Sequence, residues 1–131
     1  MTRPPDRRHA ALWWTATAIV AVIMFILATN DTVYNLTSPA TLYLHVLLRK
    51  TYSVVAFALM GWIAARAALA SGWRTSPLTI AWWLAGFSLA IEIRQAVMPP
   101  DEGIAWHAFD VACGWFGGWL GALAARRRHV L

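Results

Sequence analysis

Residues 78–98, LTIAWWLAGFSLAIEIRQAVM, and residues 104–125, IAWHAFDVACGWFGGWLGALAA, decide how this chain is read. Each is an apolar run of bilayer-spanning length, at about 1.5 Å of helix per residue against a hydrocarbon core of about 30 Å. Each also carries a carboxylate, Glu92 in the first and Asp110 in the second. A charge placed in hydrocarbon costs roughly 2.5–3.5 kcal/mol on insertion scales, so it calls for a partner or a purpose. Two further runs, Ala10–Ala28 and Val46–Ala70, complete a set of four. The expected fold is therefore all-α: a polytopic membrane protein built as one bundle of four transmembrane helices.

Composition supports that class. The 131 residues are 60% hydrophobic and 13% charged, with 9 Trp. Soluble domains are roughly 45–50% apolar and about 25% charged. A soluble core this small could not hide so much apolar surface. The net charge of +5 does not point to nucleic acid, because the basic residues cluster at the ends of apolar runs. That is the pattern of a chain beside anionic cytoplasmic lipid. The lone Cys113 sits in an apolar run, reads as a packing residue and permits no intrachain disulfide.

Charge also orients the chain. Arg3, Arg7 and Arg8 precede the first run, Arg66 and Arg74 flank the turn between the second and third, and Arg126, Arg127 and Arg128 follow the fourth. With both termini cytoplasmic, eight of the 11 basic residues lie inside. The pairs Trp13-Trp14 and Trp82-Trp83 then fall at the inner interface and Trp106 at the outer one. The first run also has the basic start and apolar core of a signal peptide. It is long for one, and Ile26-Leu27-Ala28 is a poor cleavage pattern, so a retained span is expected. The second run opens on Arg49-Lys50, read as following a turn, which leaves Thr51–Ala70 as its hydrocarbon part. The connection 29–45 is expected outside as a short amphipathic segment carrying Tyr34, Leu36, Leu42, Tyr43 and Leu44. Within it, Asn35-Leu36-Thr37 is a weak glycosylation match.

Arg49, Lys50 and Arg94 break the inside rule, and they share the outer side with Asp31, Glu92, Asp101, Glu102 and Asp110. Three helices can thus bring opposite charges together at one shallow depth. Glu92 and Gln95, three apart, share a helix face, as do His107 and Asp110. Arg94 points elsewhere. Three readings stand: the cluster binds a polar ligand such as a lipid headgroup, does acid–base work on one, or ties the helices together. His107 is expected to be a hydrogen-bonded packing residue. No second His stands at ligand spacing, so no metal site is expected, and no P-loop or dinucleotide fingerprint suggests a cofactor. An enzyme acting on a phosphorylated lipid would need a nucleophile that the sequence does not display. Gly114, Gly117, Gly118 and Gly121 form two overlapping small-xxx-small pairs that allow close helix approach, within the chain or to a partner.

Taken in order, these blocks resemble the VanZ-like membrane proteins over residues 48–125. Arg49-Lys50 with Gly61, Glu92 and Gln95 before the Pro99 turn, and Asp110 with Gly117 and Gly121 match that family's three blocks. The departures are Ser53 for a usual His, Ala56 for a frequent acid, Phe57 for Tyr, Arg94 for a frequent His and Gly114 for Asn. Asp101-Glu102 stand in the turn where a basic residue is usual. The resemblance implies a small bacterial inner-membrane protein with an outward-facing polar site, in a family named for glycopeptide resistance. It implies no reaction. The partners expected are membrane lipid and, on a second reading as an accessory subunit, a larger membrane complex or another copy through the Gly-rich fourth span.

Overall fold

The computed structural model of the chain describes residues 7–30, 32–33, 42–97 and 103–127, with side chains from residue 47 onward in the second helix. Four α-helices account for nearly all of these: α1, Arg7–Thr29; α2, Leu42–Ala70; α3, Pro77–Ala96; and α4, Ile104–Arg127. Three of them, over Arg7–Thr29, Leu47–Ala70 and Ile104–Arg127, are long and apolar enough to cross a membrane. The 20 residues of α3 carry Glu92, Arg94 and Gln95 in their last turns.

One boundary, the start of α2, differs from expectation. Helix α2 begins at Leu42, so Arg49 and Lys50 lie well inside a continuous helix rather than after a turn. The run Leu42–Lys50 has no Gly or Pro to stop it, and nothing local forces a break at the charged pair. Likewise Leu42, Tyr43 and Leu44 belong to α2 and not to a separate surface segment. The expectations for Arg3, Asp31, Asn35-Leu36-Thr37, Pro99, Asp101-Glu102 and Arg128 fall outside the described residues.

The α2–α3 turn follows from its sequence. Gly72 takes φ 75°, a left-handed conformation that costs glycine little. Its N–H donates to Leu69 O at 3.0 Å and the N–H of Trp73 donates to Ala68 O at 2.9 Å, satisfying two carbonyls of the last turn. Ser76 then caps α3 by accepting from Thr79 N at 3.1 Å, and Pro77 opens the helix where no donor is needed.

Helix α4 packs mainly on α2 and then on α3, while α1 packs mostly against α2 and touches α3 only lightly. Glycine makes the α4 contacts possible. A Cβ on Gly121 would fall on the Ala58 carbonyl, and one on Gly117 would come within 2.5 Å of Val54 O. Gly114 and Gly118 face α3 instead, against Ser88 and Leu84, each at 2.8 Å from a would-be Cβ. Gly61 of α2 meets the Gly118 backbone in the same way. The neighbours of the glycine stripe are thus α2 and α3 of the same chain.

The buried core around these crossings is small, with Phe57, Met60, Ile80, Leu84 and Ile91 among alanines. Many large apolar side chains face outward, among them Leu12, Ile19, Val22, Ile23 and Ile26 of α1. An apolar exterior on this scale is the mark of a surface that contacts membrane or protein.

At the end of the bundle that holds the α2–α3 turn, tryptophans fasten α1. Trp13 meets Trp62 edge-on at 5.4 Å, and Arg66 lies 5.5 Å from the Trp13 ring centroid. Trp14 Nε1 donates to Ser71 Oγ at 3.0 Å. Glycine packing yields a direct expectation for stability. Gly121→Ala should lower thermal stability in detergent by about 1–3 kcal/mol through overpacking. Gly86→Ala, where a Cβ meets nothing within 4 Å, should leave stability unchanged or raise it by about 0.5–1 kcal/mol.

Candidate functional site

At the other end of the bundle the glycine crossings bring three charged helices within hydrogen-bonding reach. Lys50 of α2 forms an ion pair with Asp110 Oδ1 of α4, and both side chains are mostly buried. Lys50 Nζ also lies 5.4 Å from the Trp106 ring centroid and 5.5 Å from that of Phe109. Its charge therefore has a carboxylate and two aromatic faces around it in place of water. One turn away on α4, His107 Nδ1 is hydrogen-bonded to Glu92 Oε2 of α3 at 2.6 Å. Glu92 is only 7% exposed, so the carboxylate depends on this partner.

Ser88 lies one turn before Glu92 on the same face of α3. Its hydroxyl donates to the backbone carbonyl of Asp110 at 3.3 Å, a further tie between α3 and α4. Gln95 reaches in the other direction and donates to Ala28 O of α1 at 2.7 Å. Ala28 is in the last turn of α1, where carbonyls have no partner within the helix, so Gln95 caps α1 from a neighbouring helix. All four helices are thereby tied at one level.

Beside these ties is a half-open cleft of about 280 Å³. Its apolar walls include Met24, Leu27, Phe57 and Ile91, and its polar lining includes Arg49, Ser53, Glu92 and Asp110. Arg49 is half-buried there and makes further interactions of its own. Of the residues singled out from sequence, Arg49, Glu92, Gln95 and Asp110 line the cleft, and Lys50 stands behind Asp110. Arg94 does not join them. It is exposed, because two residues from Glu92 is more than half a turn round the helix.

Four contributors stand outside the residues singled out for the cluster. His107, expected as a hydrogen-bonded packing residue, has Glu92 as its partner. Ser88 had a local signal, being four residues before Glu92. Trp106 and Phe109 flank His107 and Asp110 in sequence, but their place against Lys50 depends on how α4 crosses α2.

The arrangement can bind a charged or zwitterionic group and can hold a proton between Glu92 and His107. Ser88, the buried hydroxyl, donates to a backbone carbonyl rather than to a base. Among the described residues, no group of three His, Cys, Asp or Glu side chains is arranged to hold a metal ion.

The Lys50–Asp110 pair should behave as a coupled unit. Lys50→Met and Asp110→Asn are each expected to destabilise the detergent-solubilised protein by about 3–5 kcal/mol, since either leaves a buried charge unpaired. The double variant should lose clearly less than the sum of the two, as read from thermal or denaturant unfolding of all four proteins.

No family model matches this chain, and neither a curated protein nor a solved structure does.

Proposed function

We propose that this chain is a VanZ-like protein of the bacterial inner membrane that binds an amphiphilic ligand at an outward-facing site. In this reading all four helices span the bilayer and both termini are cytoplasmic. Helix α3 crosses with the others: its 20 residues reach about 30 Å, and its charges sit near one end. The arginines at the α1 start, the α2–α3 turn and the α4 end favour that end as cytoplasmic. The tryptophans gathered there suit headgroup depth.

One observation carries the reading. A cleft with apolar walls and a charged lining lies at the end of the bundle opposite the α2–α3 turn, where an outer-leaflet lipid, a lipid-linked precursor or a drug of similar polarity would meet it. Charges inside membrane segments are kept chiefly where they serve such a site. Ion pairs that only hold helices together are readily replaced by apolar packing, often with no loss of stability.

A second reading, in which the chain is an accessory subunit of a larger membrane complex, has its own support. Trp82 meets Trp115 at 6.0 Å, and Trp115 stacks on Trp119 at 6.3 Å, forming a rigid aromatic face across α3 and α4. Trp82 is largely exposed, and the Trp115 indole nitrogen is buried with no hydrogen-bond partner.

Purification of the tagged protein from native membranes in mild detergent separates the two. The expected result is a small species that retains lipid, with retention reduced in Ala56→Leu, which narrows the cleft away from the ion pairs. Stoichiometric co-elution with a larger complex, without retained lipid, would favour the subunit reading.

A further inference from the structure

The shape and charge of the cleft carry the ligand class further; this step rests on the amphiphile-site reading above. The volume of about 280 Å³ falls just below the roughly 300–1,000 Å³ of pockets that enclose a drug-sized molecule. A two-chain lipid cannot enter whole. A headgroup and the beginning of a chain can, with the remainder lying in the bilayer.

Three charged side chains line the space: the carboxylates of Glu92 and Asp110 and the guanidinium of Arg49. A simple anion entering would face two carboxylates, and a simple cation would face Arg49. A zwitterion that carries both charges a few bonds apart can present one to the carboxylates and the other to Arg49. The carboxylate side is prepared for a donor. Lys50 holds Oδ1 of Asp110 and His107 holds Oε2 of Glu92, which fixes both groups. Each carboxylate has a second oxygen, and an ionised carboxylate accepts about four hydrogen bonds in all. A primary ammonium brings three donors and no acceptor, and charge-assisted bonds of this kind are strongest where water is scarce. Arg49, at the same cleft, offers the forked donor set that suits phosphate.

We propose that the cleft binds the headgroup of an aminophospholipid, with the primary ammonium against Glu92 and Asp110, the phosphate toward Arg49 and the first chain segment along Leu27, Phe57 and Ile91. A quaternary ammonium lacks the N–H donors, and a glycerol headgroup lacks the positive charge. The site therefore selects phosphatidylethanolamine over phosphatidylcholine and phosphatidylglycerol.

The test is native mass spectrometry of the full-length protein in detergent, titrated separately with these three lipids of identical chains. The expected result is phosphatidylethanolamine retention at about tenfold lower lipid concentration than the other two. Glu92→Gln should lower its retention about tenfold, and Ala56→Leu should lower retention of all three lipids. Equal retention of phosphatidylcholine or phosphatidylglycerol by the unaltered protein would overturn the headgroup assignment and leave the amphiphile site standing. Retention that Ala56→Leu does not change, for any lipid, would overturn both. The lipid comparison uses the unaltered protein, so it decides the headgroup even if Glu92→Gln does not fold.

Discussion

The close approach of α4 to α2 and α3 is the constraint on which the rest depends. Backbones can meet at Gly61, Gly117, Gly118 and Gly121 only because no Cβ stands between them. In an apolar solvent the hydrophobic effect gives little reason for helices to associate, and dispersion contacts between closely fitted backbones take its place. The same approach sets the distance between polar side chains farther along the helices. With α4 held against α2, Asp110 meets Lys50; with Gly114 held against Ser88, His107 meets Glu92. A wider crossing would separate these partners and leave four charged or polar groups without compensation.

The polar ties and the cleft have different energetic standing. Paired charges in a low-dielectric interior roughly balance their own desolvation, and apolar side chains of similar volume would pack as well. Their contribution is to specify register: Lys50 with Asp110, Glu92 with His107, and Gln95 with Ala28 together allow one relative height for the four helices. The cleft is what those fixed heights leave open. Its carboxylates are held rather than mobile, so a ligand would meet groups already in position, which is the condition for selective binding of a small headgroup.

Helix α1 is the least embedded element, with no part of its most apolar stretch buried. It is joined to the bundle at its two ends, by the Trp13, Trp14 and Arg66 contacts at one and by Gln95 at the other. Between them Met24, Leu27 and Ala28 form one wall of the cleft. Along its second half Val20, Ala21, Met24, Phe25 and Ala28 pack, partly buried, against the core.

The helices themselves, the Ser71-Gly72 turn, the shared face of Glu92 and Gln95, and the small-residue stripe of α4 were legible in the sequence. Each is a local matter of composition, of helical spacing or of a turn that only certain residues accept. The start of α2 was misjudged because Arg49-Lys50 read as a boundary, although charge alone does not stop a helix. The pairing of His107 with Glu92, the cap that Gln95 places on α1, and the aromatic surroundings of Lys50 were not legible. They depend on the angle and height at which helices cross, and no spacing within one helix encodes these. The sequence by itself thus determined which segments are helices and which of their faces are polar. Only the tertiary structure decided which charges meet and that a cleft remains between them, because both follow from backbone distances set where the glycines touch.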